Sequence, residues 1–138
     1  MKILITRPRS QADPFAENIR WAGMEPVFLP VIEIQPIENN IALQRALSKL
    51  DCYDWLIFTS ANAVNVVWDA LREMQIESIP ANLRVAAIGP KTAQTIQTYG
   101  ITPTFVPDEY IAEAILPGLG DLRARWVLLP RAQIARQA

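Results

Sequence analysis

The stretch from Asp54 to Trp68 constrains the fold of this chain most, because a strand, a sharp turn and a helix follow one another there. Trp55 to Phe58 form an apolar run too short for a helix, which is typical of a parallel strand covered on both faces. Thr59, Ser60 and Asn62 then supply hydroxyl and amide groups, which favour turns and helix N-caps. Apolar residues next recur at helical spacing, at Ala63, Val66, Val67, Ala70 and Leu71. The sequence therefore predicts a hydroxyl-rich turn at the carboxyl end of a buried strand, where open α/β sheets bind ligands.

The remaining strands and helices are predicted to alternate along the chain. Short apolar runs between turn-forming residues predict strands at Lys2–Thr6, Val27–Leu29, Val85–Ile88, Thr104–Val106 and Trp126–Leu129. Amphipathic spacing predicts helices at Ser10–Ala22, Asn40–Leu50, Ala93–Gly100 and Tyr110–Leu116, with another helix starting near Ile134. The alternating segment Val31–Gln35 predicts a half-exposed strand that links two domains. Together these elements predict an α/β fold with parallel sheets.

The charge balance and the missing residue types exclude several classes of function. A net charge of -1 gives no electrostatic basis for binding nucleic acid or a membrane surface. The chain has no histidine, which excludes a histidine base, a Ser-His-Asp triad and most zinc sites. It also lacks the glycine-rich fingerprints of the Rossmann and P-loop nucleotide sites. We therefore expect no metal site and no nucleotide cofactor.

We expect the chain to be cytoplasmic. Its single cysteine, Cys52, cannot form an intrachain disulfide, which indicates a reducing compartment. No apolar run reaches the length that spans a membrane. The first residues, Met1 to Thr6, read directly as a strand, so we expect no signal peptide.

Polar turns follow four of the predicted strands. They are Thr6-Arg7-Pro8-Arg9, Thr59-Ser60-Ala61-Asn62, Gly89-Pro90-Lys91-Thr92 and Pro130-Arg131. The carboxyl ends of parallel strands gather on one edge of a sheet, and helix N-termini that begin there favour anions. The Ser60 and Thr92 hydroxyl groups, with the cations of Arg7, Lys91 and Arg131, would suit a ligand with several negative charges. The alternative is that the two hydroxyl groups only cap helices and the cations are solvated.

A series of short motifs runs through the chain in a defined order. They are Ile3-Leu-Ile-Thr-Arg-Pro8, Leu56-Ile-Phe-Thr-Ser-Ala-Asn-Ala-Val64, Ala87-Ile-Gly-Pro-Lys-Thr-Ala93, Tyr99-Gly100, Val106-Pro107, Ala112-Glu113 and Leu129-Pro-Arg-Ala132. In this order and spacing they resemble the uroporphyrinogen-III synthase family. The resemblance covers essentially the whole chain, but only the N-terminal part of the family's length.

This resemblance implies an architecture. It consists of two flavodoxin-like domains, each with a doubly wound parallel sheet, joined by a two-stranded linker, with the active site in the cleft between them. Residues 1–34 would be an incomplete segment of a discontinuous first domain. Residues 35–138 would be most of an inserted second domain, including a linker strand. The family's tyrosine on the returning linker strand would lie beyond Ala138.

The resemblance also implies a reaction and a set of site residues. The reaction cyclises linear hydroxymethylbilane to uroporphyrinogen III, with loss of water and inversion of the last pyrrole ring, and uses no cofactor or metal. By motif match Ser60 and Thr92 are the family's cleft hydroxyls and the expected catalytic residues, and Thr6 and Arg7 are expected to face them from the first domain. The substrate, a linear tetrapyrrole polycarboxylate, is expected to contact Thr6, Arg7, Thr59, Ser60, Ala61, Asn62, Gly89, Lys91, Thr92 and Arg131.

An alternative function stays open at this point, namely a non-catalytic α/β ligand-binding or regulatory module that binds a polycarboxylate. A further expectation concerns the 138-residue form itself. Lys2 to Pro30 supplies only a strand, a helix and a strand, so its apolar residues need partners from elsewhere. We therefore expect this form to be catalytically inactive, and either to self-associate or to hold its N-terminal segment loosely.

Overall fold

The computed structural model describes residues 1–132, and the chain divides into two compact units, Met1–Glu38 and Asn39–Ala138. Every strand pairing in the described part of the chain is parallel. Helices connect the strands in both units. The predicted α/β class with parallel sheets is therefore confirmed, whereas the assignment of residues 1–34 and 35–138 to a discontinuous and an inserted domain stays a prediction.

The first unit is a single strand-helix-strand element with a small core. β1 (Lys2–Ile5) and β2 (Glu25–Phe28) pair with Lys2 opposite Glu25, and α1 (Arg9–Trp21) connects them. Gly23, at φ +73°, allows the chain to turn sharply after α1, and the Met24 N–H bonds back to the Ile19 carbonyl at 3.0 Å. The core is one face of α1 packed on the end of β1, at Ile5, Ala12, Ala16 and Ile19.

Several large apolar side chains of the first unit remain exposed, including Leu4, Phe15 and Trp21. Such surface favours association between molecules when it is contiguous. The expectation that the chain self-associates stays a prediction.

The second unit carries a three-stranded sheet in the order β4-β3-β5. Its first elements are α2 (Ile41–Leu47), a 3-10 turn (Leu50–Cys52), β3 (Trp55–Phe58) and α3 (Ala61–Glu73). They are followed by β4 (Arg84–Ala87), α4 (Pro90–Thr98), α5 (Ala112–Gly118) and β5 (Val127–Leu128). An isolated parallel bridge from Ala86 to Phe105 extends the sheet beyond β4. β3 lies between β4 and β5 and is buried along its whole length, as the apolar run predicts.

Alternate residues of the central strands build two separate cores, because successive side chains of a strand point to opposite faces. Leu56, Phe58 and Val85 pack on one face with residues of α3 and α4, including Val64, Val67 and Ile96. Trp55, Ile57 and Ala86 pack on the other face with Ile115 and Leu119 from α5 and its end. The sheet of the second unit therefore has helices on both faces, which is the doubly wound arrangement.

Three predicted elements differ from the structure. Val31–Gln35 forms no strand. The Val31 N–H bonds to the Thr6 carbonyl at 3.1 Å, but no described strand continues a ladder along the segment, and alternation alone does not produce a strand without one. Thr104–Val106 is reduced to the single bridge at Phe105. The last described helix begins at Ala112 with Ile111 as its N-cap, so Tyr110 lies in the preceding loop. The helix predicted near Ile134 lies outside the described residues.

Asp54 attaches the start of β5 to the start of β3. Its carboxylate accepts a hydrogen bond from the Trp126 N–H at 3.0 Å and one from the Arg125 guanidinium at 2.6 Å. The backbone hydrogen bond, followed by that from Arg125, lowers the pKa of Asp54 below its ordinary value of 3.8. Ionised Asp54 therefore stabilises the fold above about pH 4, and this contribution is lost as the pH falls through the lowered pKa.

Asp54→Asn is accordingly expected to destabilise the chain at pH 7 and to have a smaller effect near pH 3, below the ordinary pKa of 3.8, where Asp54 of the unfolded chain is already largely protonated. Urea unfolding of the variant and the parent at both pH values measures this. A difference in unfolding free energy that stays the same at pH 3 and pH 7 would contradict the role of the ionised carboxylate.

Candidate active site

The carboxyl edge of the second unit's sheet contains a topological switch point. From β3 the chain moves to β4 and then to the bridge at Phe105, whereas β5 returns to the other side of β3. The carboxyl ends of β3 and β5 therefore flank the point where the strand order reverses, which is where open α/β sheets bind ligands. Thr59 and Ser60 follow β3 directly, and Pro130 and Arg131 follow β5 closely. The topology brings two of the four predicted polar turns to this position.

A third polar turn lies beside them, after β4. Phe58 pairs with Ala87 in the parallel register, and the Ile88 N–H continues the ladder to the Phe58 carbonyl at 2.9 Å. Neighbouring strands lie about 4.8 Å apart. The turns that start at Thr59 and at Gly89 therefore leave the sheet side by side, and the helices α3 and α4 both begin at this edge.

Ser60 is the N-cap of α3. Its hydroxyl oxygen accepts a hydrogen bond from the Ala63 N–H at 3.1 Å, and its backbone is extended. The capping interpretation is therefore confirmed for Ser60. The cap uses the oxygen as an acceptor, so the O–H proton can still be donated to a carboxylate. Ala61 and Asn62 lie in the first turn of α3, and this first turn contains no acidic residue.

Thr92 differs from Ser60, because it does not cap its helix. The N-cap of α4 is Gly89, which offers no side-chain hydrogen bond, and Pro90 occupies the first helical position. Thr92 is only 5% exposed, and its hydroxyl forms no hydrogen bond with residues 1–132. The hydroxyl oxygen still reaches the surface, because Trp55 Nε1 is the only fully buried side-chain polar atom without a partner in that part of the chain. Within the described chain the capping interpretation is wrong for Thr92, because Gly89 is the N-cap, and the Thr92 hydroxyl is accessible for a hydrogen bond to a ligand.

The cationic side chains at this edge are exposed. Lys91 lies in the first turn of α4, and this turn has no acidic residue. Arg131 follows β5. The helix dipole and the unbonded amides of the first turn add positive potential at the same place. This edge of the second unit can therefore hold an anion through hydroxyl groups, backbone amides and cations together.

The first unit carries its own groove at the carboxyl edge of β1 and β2. The groove has a volume of about 510 Å³ and is lined by Pro8, Arg9 and the segment from Pro30 to Ile34. Thr6 and Arg7 follow β1 and are exposed, but neither lines the groove. Arg9 does line it, with its guanidinium 3.6 Å from the centre of the Phe28 ring. The sequence analysis named Arg7 and not Arg9. The two arginines belong to the same turn, and the packing of Arg9 on Phe28, which distinguishes them, cannot be predicted from the turn alone.

Tyr110 is the residue of the second unit's edge that the sequence analysis missed. Its ring lies against Gly89, at the start of α4. The pairing joins residues distant in sequence, and the predicted helix at Tyr110–Leu116 placed this tyrosine on a helix instead of in a loop. The only local signal was the cluster Pro107-Asp108-Glu109, which is typical of a turn.

Two features of the described residues bear on cofactors and membranes. No group of three or more His, Cys, Asp or Glu side chains in residues 1–132 is placed to hold a metal ion. Over the same residues no helix is long and apolar enough to cross a lipid bilayer.

Comparison with known proteins identifies the family. The family model for uroporphyrinogen-III synthase HemD matches residues 13–138. A uroporphyrinogen-III synthase of Synechococcus elongatus is 36% identical over 132 residues, which is 95% of this chain and 50% of that protein. A porphyrin biosynthesis protein HemD of Ruminiclostridium josui is 30% identical over 121 residues, which is 87% of this chain and 24% of that protein.

Solved structures share the fold. The uroporphyrinogen III synthase of Thermus thermophilus superposes with a TM-score of 0.61 at 20% identity, over 99% of this chain and 53% of that one. The corresponding Helicobacter pylori structure gives a TM-score of 0.63 at 21% identity, over 90% of this chain and 54% of that one.

The family match extends over nearly the whole chain and includes the polar turns after β3 and β4 that build the site described above. The chain spans about half the length of relatives such as the Synechococcus elongatus protein. It belongs to the uroporphyrinogen-III synthase family.

Proposed function

We propose that this chain supplies part of the active site of an enzyme that closes linear hydroxymethylbilane to uroporphyrinogen III. The observation that carries the proposal is the set of three polar turns at the switch-point edge of a sheet whose sequence matches the family model. Hydroxymethylbilane and its product both carry several carboxylates, and this edge offers hydroxyl groups, helix-start amides, Lys91 and Arg131. The ligand and the edge are therefore complementary in charge.

The main task of the protein in this reaction is to position the substrate. The substrate's own pyrrole nitrogen can expel the hydroxyl group as water, which leaves an electrophilic azafulvene. The enzyme then has to hold the chain so that the substituted carbon of the terminal ring attacks, which gives a spiro intermediate. The bond from that carbon to its original methylene bridge then breaks, and the freed methylene carbon bonds to the unsubstituted carbon of the same ring, which loses its proton and leaves the ring inverted. Closure at the unsubstituted carbon would give the non-inverted isomer. Control of the substrate's conformation thus decides the product.

In this proposal Ser60 and Thr92 act as hydrogen-bond donors. They grip substrate carboxylates, or assist the departing hydroxyl group, from the edge of the sheet in the second unit. Lys91 and Arg131 neutralise carboxylates nearby, and the amides at the starts of α3 and α4 add further donors. Thr6, Arg7, Thr59, Ala61, Asn62 and Gly89 complete the proposed set of contacts. The cytoplasm is the proposed compartment, and no nucleic acid is a proposed partner.

The experiment that tests the proposal measures the isomer of the product. Hydroxymethylbilane is supplied to the 138-residue chain and, separately, to the polypeptide encoded by the complete reading frame that contains it. The porphyrinogens are oxidised and separated by chromatography. The complete polypeptide is expected to give the inverted isomer, and to do so equally in EDTA, because the proposed chemistry uses only protein donors and the substrate's own nitrogen.

Each other outcome has a defined meaning. Formation of the non-inverted isomer alone would contradict the proposed enzyme, and in that case tight binding of uroporphyrin III would favour the non-catalytic polycarboxylate-binding module. Loss of activity in EDTA that a divalent ion restores would contradict the cofactor-independent mechanism.

A further inference from the structure

Tyr110 covers the backbone at the start of α4. A Cβ atom added to Gly89 would lie 3.2 Å from Cγ and Cδ1 of Tyr110 and 3.3 Å from its Cβ. Gly89 has an extended backbone, at φ −173°, which any residue can adopt. The absence of a side chain at position 89 therefore serves to admit the Tyr110 ring, and not to relieve the backbone.

The position of this ring is unusual for a packing residue. Gly89 is buried beneath it, yet Tyr110 as a whole is 61% exposed. Only the inner edge of the ring is therefore covered. Ile111 is the N-cap of α5, so Tyr110 is followed directly by a helix that packs on the sheet. The loop and the glycine fix the inner edge of the ring, while much of its surface and its polar end can meet a ligand.

The charges around Tyr110 restrict the type of contact it can make. Asp108 and Glu109 precede it and are exposed, whereas Lys91 lies in the first turn of α4. Lys91 attracts a carboxylate bound here and the two acidic side chains repel it, and a neutral donor adds a hydrogen bond without changing this balance of charge. A phenol hydroxyl donates one hydrogen bond and remains neutral at pH 7.

A second, independent observation indicates a ligand at this turn. Thr92, on the same first turn of α4 as Lys91, is only 5% exposed, yet its hydroxyl reaches the surface and has no hydrogen-bond partner among residues 1–132. The turn therefore combines an accessible hydroxyl donor, on an otherwise buried side chain, with a nearby aromatic ring.

We propose that Tyr110 is a further substrate-binding residue, whose hydroxyl donates a hydrogen bond to a carboxylate of the tetrapyrrole held at the start of α4. This inference rests on the proposed function, because it assigns a new contact to the same site. Tyr110 binds the substrate and orients it, and it takes no part in bond breaking.

The test compares Tyr110→Phe with the parent in the complete polypeptide that contains this chain. Phenylalanine keeps the ring on Gly89 and removes only the hydroxyl group. We expect KM for hydroxymethylbilane to rise about tenfold, which is the effect of losing a hydrogen bond to a charged group. The midpoint of thermal unfolding should not change, because Tyr110 is exposed. Tyr110→Ala also removes the ring and should raise KM at least as much.

Tyr53→Phe is the matched control. Tyr53 precedes β3, at the amino edge of the same sheet, and its hydroxyl has no hydrogen-bond partner in residues 1–132. This variant should keep the parental KM. A parental KM in Tyr110→Phe, while the parent itself cyclises the bilane, would overturn the inference and leave the proposed function standing. If the parent yields no inverted isomer, the proposed function is overturned instead. The role of Tyr110 is then tested by comparing the affinity of the parent and of Tyr110→Phe for uroporphyrin III.

Discussion

Gly118→Ala is expected to lower the free energy of unfolding of this chain by about 3 kcal/mol, the upper part of the range for an overpacked core. A Cβ atom at position 118 would lie 2.0 Å from Cζ of Phe105 and 2.2 and 2.3 Å from its two Cε atoms. The ring cannot retreat easily, because Phe105 packs against the core that includes Ile115 and Leu119, and the Ala87 N–H, which bonds to its carbonyl at 3.0 Å, ties its backbone to β4. Alanine is a better helix former than glycine by about 1 kcal/mol, but this gain is smaller than the cost of the overlap.

Phe105→Leu provides the control within the same pair. Leucine lacks the Cε and Cζ atoms that would overlap, so Gly118→Ala in the Phe105→Leu background should be neutral or slightly stabilising. Urea unfolding of the parent, both single variants and the double variant gives the coupling free energy. Equal unfolding midpoints for Gly118→Ala and the parent would show that α5 does not rest on the Phe105 ring as described.

Thr92→Val is expected to reduce kcat/KM for bilane cyclisation by about 10- to 100-fold, the effect of losing a hydrogen bond to a charged group. Valine keeps the shape of the side chain and removes only the hydroxyl. That hydroxyl has no partner among residues 1–132, so stability should stay the same or increase. The two readouts should therefore move independently, which a purely structural role for Thr92 would not allow.

Ser60→Ala is expected to reduce both kcat/KM and the free energy of unfolding, because Ser60 caps α3 and also faces the proposed ligand. Loss of the cap should cost about 1 kcal/mol of unfolding free energy. Asn40→Ala is the matched control, since the Asn40 side chain caps α2 through the Leu43 N–H at 3.0 Å and belongs to no proposed site. It should lose similar stability and keep its activity. If Asn40→Ala lowers kcat/KM as much as Ser60→Ala, or if Thr92→Val is fully active, these hydroxyl groups are not substrate ligands.

Local patterns in the sequence were sufficient to predict the central elements of the site. The apolar run Trp55–Phe58 is β3, and the hydroxyl at Ser60 caps α3. The helix predicted at Ala93–Gly100 is present as α4 but begins three residues earlier, at Pro90, inside the predicted polar turn. These features depend on neighbours within a few residues, where strand burial, side-chain capping and the fixed φ of proline determine the outcome. The parallel order of strands followed from the alternation of strands and helices.

Features that depend on contacts between distant residues could not be predicted. Val31–Gln35 has the alternation of a strand, but no neighbour in the described chain completes a ladder with it. Tyr110 on Gly89 and Phe105 on Gly118 are pairings across the fold, in which a ring occupies the space that a glycine leaves. The residues near each glycine in the sequence do not indicate which aromatic ring packs against it. Likewise, the lack of a cap on α4 is visible in Gly89, but the burial of Thr92 is a property of the packed unit.

Backbone amide chemical shifts test most directly whether the carboxyl edge of the second unit's sheet binds the tetrapyrrole. A ¹⁵N-labelled 138-residue chain is titrated with uroporphyrin III, which reports weak as well as tight binding. We predict that shift changes concentrate at the carboxyl edge, at Thr59–Ala63, Gly89–Ala93 and Tyr110. The amino edge of the same sheet, at Tyr53, Asp54 and Arg123–Trp126, should remain unchanged. Changes confined to the amino edge, or no changes at a saturating excess of uroporphyrin III, would contradict this account.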